Sequence, residues 1–381
     1  MDSSVAAYLL KEQGHEVIGL FMINWHDKTG VIDADCPWDE DVVFAELVAK
    51  KLDIPVHVVD LSEPYRKRVI DYMFSEYQKG RTPNPDVLCN REIKFDAFLE
   101  AAEAYHPDYV ATGHYCRKES TGEKGTRIHH LLAGADPNKD QSYFLCQLSQ
   151  EQLARTLFPI GHLEKPEVRK IARVQGLASA EKKDSQGICF VGKVHLPVFL
   201  QQKLKSREGN IFEIPSDLEQ YSSEKQDLKD LEAVCSPWSY AKEDGHWTGK
   251  HQGAHFFTVG QRKGLNVGGK TEPLFVVATD VVNNRLYVGQ GQSHPGLFRR
   301  GLKIVAGEIH WIRKDLEMLP GERRDYLVRI RYRQPLQKAT LHRKEDALYI
   351  TFETPQRGMA AGQFAAWYEG EELMGSGVIH E

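Results

Sequence analysis

Short, nearly continuous apolar runs alternate with helical spacing through residues 1 to about 200. Residues 16–22 and 54–60 have the composition of buried parallel strands. Between them, residues 41–52 place their apolar side chains on one side of a helix, and residues 65–77 predict another helix. Residues 108–114 predict a further strand that ends near a glycine. This alternation predicts an α/β fold with a doubly wound parallel sheet and a ligand at the carboxyl ends of its strands.

The remainder of the chain has the pattern of strands and turns. A polar stretch at residues 216–244 precedes a compact β-rich module that begins near residues 255–265. Residues 340–352 and 364–379 each predict a hairpin, which together favour a small closed β-barrel. The predicted domains are therefore residues 1–204, 205–295 and 296–381.

Composition predicts a soluble globular protein. The chain has 381 residues, 41% hydrophobic and 27% charged, and its apolar runs are shorter than the roughly 20 residues that span a bilayer. It shows no signal peptide. Its six cysteines form no CxxC pair, which is typical of a reducing compartment. We therefore expect a cytoplasmic protein without a membrane partner.

A carboxylate precedes a thiol by three residues in the segment 82–95, as Asp86 and Cys89. The pattern places Cys89 at the start of a helix with Asn90 as its cap, after a loop that two prolines hold extended. A helix N-terminus favours the nucleophilic thiolate. A helix cap with a bystander cysteine remains an alternative.

A second thiol, Cys189, lies in the segment 184–190. A glycine two residues earlier suits a loop that exposes the sulfur, and nearby lysines are expected to stabilise its anion. Either cysteine alone is more often a small buried hydrophobe. Because the two thiols are far apart in sequence, they can meet only through the fold.

Arginines alternate with apolar residues at 323–333. The spacing of Arg329, Arg331 and Arg333 predicts a strand with guanidinium groups on one face. The net charge of −5 gives no global attraction to nucleic acid, so any such contact depends on local surfaces of this kind. Three aligned guanidinium groups suit phosphates, although a solvated strand face is the alternative.

Six motifs together resemble the tRNA-specific 2-thiouridylase family, an ATP-pyrophosphatase type of tRNA thiolase, and its bacterial members in particular. The likeness covers essentially the whole chain and keeps the order of the motifs. They are ProAsnProAspValLeuCysAsn (83–90), ThrGlyHisTyr (112–115), LysAspGlnSerTyrPheLeu (139–145), SerGlnGlyIleCysPhe (185–190), ThrValGlyGlnArgLysGlyLeu (258–265) and ArgTyrArgGlnPro (331–335).

The resemblance implies an adenine nucleotide alpha hydrolase-like first domain, a tRNA-binding central domain and a defined reaction. ATP, with Mg²⁺, adenylates the C2 oxygen of the anticodon wobble uridine, and sulfur then replaces that oxygen. Cys189 would receive the sulfur as a persulfide from a donor protein of a sulfur relay. Cys89 would complete the transfer, leaving a transient Cys89–Cys189 disulfide, and Asp86 would act as general acid/base or position the base. A loop-capping role for Asp86 is the alternative.

The resemblance also assigns binding residues one by one. For ATP these are Asp2, Ser3, Met22 and Gly113, of which the last two could equally be a core methionine and a turn glycine. The segment 84–86 is expected to hold the flipped uracil. The full set expected to contact tRNA is Asn84, Pro85, Asp86, His114, Lys139, Asp140, Gln141, Arg331, Tyr332 and Gln363.

The chain departs from the family pattern at its start. Family members open with a strand and a SerGlyGlyXaaAspSer loop that wraps pyrophosphate, whereas here only Asp2-Ser3 and the following helix correspond. Either the start codon is assigned too late or the gene is truncated, and we expect impaired ATP activation and a poorly covered sheet. Residues 216–244 are longer than the family pattern and predict a surface insertion, and AlaAlaGlyGln (360–363) replaces the usual ProGlyGln.

Two other functions remain open from the sequence. One is a different ATP-pyrophosphatase ligase acting on a small molecule, against which the paired cysteines argue. The other is a catalytically impaired tRNA-binding homologue. Within the first function, Asp86, Cys89 and Cys189 could instead ligate an iron–sulfur cluster.

Overall fold

The computed structural model describes residues 1–26, 37–123, 126–182, 189, 196–222 and 230–380. The first region alternates strands and helices, as the sequence predicts. Its elements are α1 (Asp2–Glu12), β1 (Gly19–Ile23), α2 (Pro37–Leu52), β2 (Val56–Asp60), α3 (Ser62–Tyr65), α4 (Asp71–Gln78), α5 (Pro85–Leu88), α6 (Phe98–Ala102), β3 (Val110–Ala111), β4 (Cys116–Thr121), β5 (Ile128–Ala133), α7 (Gln150–Ala154), β6 (Thr156–Leu157), α8 (Lys165–Val174) and α9 (Leu196–Leu200).

The parallel strands of this region form two pairs in the described residues. β1 pairs with β2 in a register that runs from Gly19 opposite Val56 to Ile23 opposite Asp60, and β3 pairs with β6. The predicted strands and their parallel direction are therefore confirmed. The β1–β2 pair is poorly covered, since Val58 in β2 exposes 48% of its surface.

One nearly continuous helical stretch links α5 to α6. Between them, Cys89–Ala97 forms a π-helix, and the Phe98 amide donates to the Ile93 carbonyl five residues earlier. Phe95 breaks the regular geometry with φ −115° and ψ 16°. A second π-helix, Arg66–Ile70, joins α3 to α4. Such wide turns occur mostly as short insertions in helices at functional sites.

The described residues in the middle of the chain form a four-stranded sheet and the short α-helix α10 (Leu231–Cys235). The strand order is β8-β7-β10-β9, and β7 and β10 are parallel while the other pairs are antiparallel. The predicted β-rich character is confirmed. Its elements are β7 (Gly209–Glu213), α10 (Leu231–Cys235), β8 (His246–His251), β9 (Leu274–Asp280) and β10 (Arg285–Gln290). Within the polar stretch 216–244, residues 223–229 lie outside the described residues.

The last region is a large antiparallel sheet around the buried Trp367. Both predicted hairpins are confirmed, as the pairs β14–β15 and β16–β17. The sheet also takes in β4 and β5 from the first region, through the pairing of Glu372 with Leu132, which the sequence analysis did not predict. Its own strands are β11 (Phe298–Val305), β12 (Ile309–Trp311), β13 (Arg323–Arg329), β14 (Gln337–Arg343), β15 (Ala347–Arg357), β16 (Phe364–Glu369) and β17 (Glu372–Val378).

The predicted strand with three aligned arginines is wrong. β13 ends at Arg329, so Arg331 and Arg333 lie beyond it, and Arg333 has a left-handed φ of +64°. Arg329 is buried and pairs with Asp140, whereas Arg331 and Arg333 are exposed. The strand that the alternation predicts extends as far as Arg329, where it ends and the chain turns. Among the described helices, none is long and apolar enough to cross a bilayer.

Candidate sulfur-transfer site

The helix that carries the first thiol begins at Pro85, four residues before the cysteine. Asn84 caps it, since its side-chain oxygen accepts a hydrogen bond of 3.2 Å from the Val87 amide. The predicted cap, Asn90, is wrong: it lies inside the helical stretch, is buried, and donates to the carbonyls of Asp86 and Phe144. Proline at the first helical position explains the earlier start, because the amide that it lacks would have had no helical partner.

The fold brings the two distant thiols together. Cys89 is fully buried and Cys189 half-buried, and both are free thiols that lie close enough for Cys89 to raise the pKa of Cys189. Asp86 accepts a hydrogen bond of 3.1 Å at its Oδ1 from the Cys189 amide. The Tyr65 hydroxyl donates to the Cys189 carbonyl at 2.6 Å. The backbone of Cys189 is therefore held on two sides, with its sulfur beside that of Cys89.

The rest of the second cysteine motif lies outside the described residues. Residues 183–188 and 190–195 belong to that part of the chain. The predicted loop around Cys189, including its glycine and two of the lysines near it, is therefore named here only as a prediction.

A lysine that the sequence analysis passed over faces the thiols. Lys94 follows Cys89 by five residues, and a π-turn aligns residues five apart on one face of the helix. The Lys94 Nζ lies 3.5 Å from His114 Nε2, and Asp86 and both thiols act electrostatically on Lys94. Because an ammonium group only donates, His114 accepts at Nε2 and donates from Nδ1 to the Thr112 hydroxyl at 2.8 Å.

The electrostatics of Cys189 oppose the expected thiolate. Its hydrogen bond with the Cys89 thiol, followed by burial, raises the pKa of Cys189 well above the ordinary value, and the Lys94 ammonium only partly offsets this. The expected stabilisation of the Cys189 anion by flanking lysines stays a prediction, because two of these lysines lie outside the described residues. Of those flanking lysines, Lys182 pairs with Asp41 instead.

Three of the four residues expected to bind ATP, Asp2, Ser3 and Gly113, meet at the start of α1. Gly113, which follows β3, packs so closely there that an added Cβ would lie 2.5 Å from the Ser3 amide nitrogen. Asp2 accepts hydrogen bonds from the Lys165 ammonium at 2.9 Å and from the Tyr115 hydroxyl at 3.0 Å. Met22 lies near the carboxyl end of β1 and is partly buried. The structure thus brings Asp2, Ser3 and Gly113 together.

The loop before the sulfur site is tied to the barrel region. Gln363 donates from Nε2 to the carbonyls of Thr82 and Pro83 at 2.9 and 3.2 Å, and its Oε1 accepts from Asn84 at 3.3 Å. The Thr82 amide also donates to Ala361 at 2.7 Å. Gln363 therefore fixes the loop whose last residue caps the Cys89 helix.

Several residues expected to contact tRNA have partners within the protein. The buried Asp140 pairs with Arg329 at 3.1 Å and accepts from the amides of Gly134 and Ser142. Gln141 accepts from the Tyr115 amide at 3.0 Å. His114 is buried, and burial followed by the Lys94 charge lowers its pKa well below the ordinary value.

Other expected contacts lie on one accessible surface. The Tyr332 ring packs on Phe144 with centroids 4.3 Å apart, and Arg333 lies over Tyr332 at 5.4 Å. Lys139 is close enough to Tyr332 to lower its pKa, although burial dominates and raises it. This surface adjoins the sulfur site, because the Phe144 carbonyl accepts from Asn90.

The described side chains offer no preformed metal centre. No group of three His, Cys, Asp or Glu side chains in that part of the chain is arranged to hold an ion. One Asp86 oxygen accepts from the Cys189 amide, and the two free thiols interact with each other. The arrangement thus does not fit the three-ligand iron–sulfur site considered from the sequence, and we derive no step through a cluster.

A cavity of about 290 Å³ lies apart from the thiols, where the three regions meet. Its walls combine aromatic, small and polar side chains, and neither Cys89 nor Cys189 contributes to them. The lining includes Thr82, Trp238, Tyr240, Phe257 and Met359. We therefore locate the sulfur chemistry at the polar groups around the thiols and not in this cavity.

Sequence reasoning missed three residues that shape the site. Tyr65 looks from the sequence like an aromatic residue of the core, and it is fully buried. Its hydroxyl nevertheless donates to the Cys189 carbonyl. In a regular α-helix, Lys94 and Cys89 would lie on different faces, and only the π-turn places them on the same face. Lys165, which holds Asp2, lies far from it in sequence. The one available signal was Lys94, which lies inside the segment 82–95 that carries Cys89.

Comparisons with known proteins cover the whole chain. Three family models match it: tRNA methyl transferase HUP domain over residues 1–193, tRNA methyl transferase PRC-barrel domain over 240–290, and aminomethyltransferase beta-barrel domain over 302–379. Proteins named tRNA-specific 2-thiouridylase MnmA from Christiangramia forsetii and Flavobacterium johnsoniae are 59% and 58% identical over 100% of this chain and 97% of their own lengths. The protein of that name from Karelsulcia muelleri is 46% identical over 100% of this chain and 96% of its own length.

Proposed function

The chain belongs to the tRNA-specific 2-thiouridylase family, and on this premise we propose that it converts the wobble uridine of tRNA to 2-thiouridine at the expense of ATP. The observation that carries the proposal is the contact between the Cys89 and Cys189 thiols beside Asp86. Neither methyl transfer, named in two family models, nor ligation of a small molecule needs such a pair. An impaired tRNA-binding homologue would not need it either.

Activation of the uridine precedes sulfur transfer. The C2 oxygen attacks the α-phosphorus of ATP, which forms the adenylate and releases diphosphate. AMP is then a good leaving group, so one difficult substitution becomes two easier ones. We assign the nucleotide to the start of α1, where Asp2, Ser3 and Gly113 meet, with Met22 in the neighbouring strand. Mg²⁺ would come with the ATP phosphates, and the described residues provide no group of three ligands for it.

Sulfur transfer then uses both thiols. The terminal sulfur of a Cys189 persulfide attacks C2, forming the C–S bond and expelling AMP. The Cys89 thiolate attacks the Cys189 sulfur, and the electron pair of the broken S–S bond leaves on the sulfur attached to C2 as the thiocarbonyl. Alternatively, Cys89 releases sulfide first, which then attacks C2. Either order oxidises the two thiols to a Cys89–Cys189 disulfide, which a dithiol reductant or a new sulfur donor resets.

The groups around the thiols have matching roles in this proposal. Asp86, which accepts from the Cys189 amide, would exchange protons with the sulfurs or with the base. Lys94 supplies the positive charge that stabilises the thiolates formed during transfer. Tyr65 holds the Cys189 carbonyl, and burial keeps its phenol protonated by raising its pKa. Tyr65 is thus a positioning residue.

Recognition of tRNA is assigned to the surface that adjoins the thiols. Arg331, Tyr332 and Lys139 are polar groups of this surface, while Asn84 and Pro85 would present the flipped base and Gln363 holds their loop. His114, Asp140 and Gln141 already have hydrogen-bond or ion-pair partners within the protein. We therefore assign them an indirect role in tRNA binding, in which they support that surface. A sulfur-donor protein would reach Cys189, which is the more accessible thiol. A cytoplasmic location follows from the reducing conditions that this cycle needs.

The test replaces Cys189 by serine in the whole protein. Cys189→Ser should abolish 2-thiouridine, measured by mass spectrometry of tRNA nucleosides from cells that lack the endogenous activity and express the variant. Binding of tRNA should persist. Cys235→Ser is the matched control, because Cys235 is buried against Ala347 and Tyr349, away from the site. Normal thiolation by Cys189→Ser would overturn the proposal.

A further inference from the structure

The cavity of about 290 Å³ lies where the three regions of the chain meet, apart from the thiols. Pockets that hold small molecules start at roughly 300 Å³, so its size suits a small ligand. The first region contributes Thr82 to its lining, the middle region Trp238 and Tyr287, and the last region Arg299 and Met359. A ligand in this cavity would therefore touch all three regions at once.

Direct contacts between the regions fix the shape of the cavity. The Thr82 hydroxyl forms a hydrogen bond of 2.9 Å with the Thr258 hydroxyl, which joins the first region to the middle one. The Thr82 amide donates to the Ala361 carbonyl at 2.7 Å, which joins the first region to the last. Gly80 packs so closely on Val281 that an added Cβ would lie 2.9 Å from that side chain. The walls are thus already in place, which lowers the entropic cost of binding.

One wall carries a guanidinium group without a countercharge. Arg299 donates from Nη2 to the Cys235 carbonyl, but its Nε is buried without a hydrogen-bond partner. Among the described residues, no carboxylate forms an ion pair with Arg299, and burial lowers its pKa to about 10. The neighbouring Cys235 thiol stays neutral, because burial raises its pKa to about 12. Since an uncompensated buried cation is costly, an anion at this wall would be stabilising.

A second polar group without a partner lines the same cavity. Tyr287 is only 2% exposed, and its hydroxyl is buried without a hydrogen-bond partner in the described part of the chain. Its ring packs on Tyr240 with centroids 5.5 Å apart, whereas the Tyr240 hydroxyl bonds to that of Tyr221 at 2.7 Å. Buried polar groups are rarely left unpaired in native proteins. A ligand that accepts a hydrogen bond would give the Tyr287 hydroxyl its partner.

The remaining walls suit a flat apolar group. Trp238 donates from its indole N–H to the Phe298 carbonyl at 2.9 Å, so it offers a ligand its ring rather than its nitrogen. This bond also holds Trp238 beside the residue that precedes Arg299. Asp280 is the one carboxylate among the described lining residues, and it accepts two hydrogen bonds from Asn283. The lining therefore combines free donors for an anion with aromatic faces.

We propose that this cavity binds a small organic anion, namely a flat ring that carries a carboxylate or a phosphate. The anionic group accepts hydrogen bonds from Arg299 Nε and from the Tyr287 hydroxyl, and the ring packs against Trp238 and Tyr240. Because neither thiol lines the cavity, this site is separate from the sulfur centre and does not depend on the proposed reaction.

Occupation of the cavity would also affect the loop before the sulfur site. Thr82 lies two residues before Asn84, which caps the Cys89 helix. A ligand that touches Thr82 would hold this loop against the middle and last regions.

The test measures binding of four probes to the full chain by ligand-observed nuclear magnetic resonance: benzoate, phenyl phosphate, benzamide and inorganic phosphate. Benzoate or phenyl phosphate should bind, and the tighter of the two identifies the anionic group. Benzamide has the ring without the charge, and inorganic phosphate has the charge without the ring. Both should bind at least about tenfold more weakly, since hydrogen bonds to a charged group contribute about that factor or more.

Two variants locate the binding in this cavity. Arg299→Met removes the charge and Tyr287→Phe removes only the hydroxyl, so each should weaken binding of the tighter probe about tenfold. Tyr287→Phe should not lower the thermal midpoint of the ligand-free protein, because the hydroxyl has no partner there. Arg173→Met is the matched control, because Arg173 is exposed and paired with Glu181. It should bind the probe as the unmodified protein does.

Equal affinity for benzoate and benzamide, or no binding of either anionic ring, would overturn the inference. Unchanged binding in Arg299→Met and Tyr287→Phe would place the probe elsewhere and overturn it as well. If Arg299→Met fails to fold, Tyr287→Phe decides the matter alone, since unchanged binding in that variant contradicts the assigned contact. A lower thermal midpoint of ligand-free Tyr287→Phe would show that the hydroxyl already has a partner, which refutes its role.

Discussion

At the scale of single residues, the decisive feature is the environment of Cys189. Its pKa is raised by the hydrogen bond with Cys89 and by burial, so the free thiol stays protonated near neutral pH. A protonated thiol is a weak nucleophile, which protects the resting pair from oxidation. The sulfur becomes reactive once it is loaded as a persulfide or once Cys89 is displaced from it.

Alkylation rates test this environment. Cys89→Ala removes the largest cause of the raised pKa, so the pKa of Cys189 should fall and its alkylation by iodoacetamide at pH 8 should accelerate, roughly threefold for each pKa unit recovered, because the lower pKa also reduces the nucleophilicity of the thiolate. Lys94→Met removes the opposing cation, so the pKa should rise further and alkylation should slow. Mass spectrometry of the Cys189 peptide over pH 6–10 gives both profiles. Identical profiles in the two variants would contradict the assignment.

At the scale of elements, the helical stretch from Pro85 to Ala102 sets the geometry of the site. Its spacing predicted a helix that carries Cys89, and the helix is present, although it begins earlier, at Pro85. The wide turn was not predictable, because intrinsic propensities do not distinguish i→i+4 from i→i+5 bonding and tertiary packing decides between them. The same turn brings Lys94 under the thiols.

The cap of this helix offers a prediction about stability. Asn84→Ala removes the acceptor for the Val87 amide and should cost about 1 kcal/mol in the free energy of unfolding. Asn84→Asp keeps an acceptor and should lose less, although it forfeits the bond to Gln363. Urea denaturation of the two variants and the unmodified chain measures the difference. An equal loss in both would show that the cap contributes nothing.

At the scale of the whole molecule, long-range pairs join regions that the sequence presents as separate. The buried Asp140–Arg329 pair links the first region to the barrel, and Gln363 ties the barrel to the Cys89 loop. The β4–β5 hairpin lies within the first region in sequence yet extends the barrel sheet. The sulfur site thus depends on residues from both ends of the chain.

A double-mutant cycle tests the buried pair. Asp140→Asn leaves the Arg329 charge unpaired, and Arg329→Met leaves Asp140 unpaired, so each should cost about 3–5 kcal/mol in the free energy of unfolding. The double variant should cost clearly less than the sum, since no charge is left alone. Chemical denaturation provides the values. Additive losses would mean that the pair does not couple the regions.

Local pattern therefore predicted the strand and helix order, the two hairpins and the cysteine segments. It failed where tertiary contacts decide. The arginine alternation continued in sequence past Arg329, but the strand ended there. Asn90 is a residue type that often caps helices. The actual cap is Asn84, which precedes Pro85 and accepts a hydrogen bond from the Val87 amide. The partners of Asp2 and Cys189 come from distant positions, which no local spacing reveals.

The most direct measurement is a single-turnover reaction with the persulfide-loaded protein, ATP and tRNA, without reductant, followed by alkylation and peptide mapping. The account predicts one Cys89–Cys189 disulfide for each 2-thiouridine formed, while Cys116, Cys146 and Cys235 stay alkylatable after unfolding. Formation of 2-thiouridine with Cys89 and Cys189 both still free, or with a disulfide to another cysteine, would contradict it.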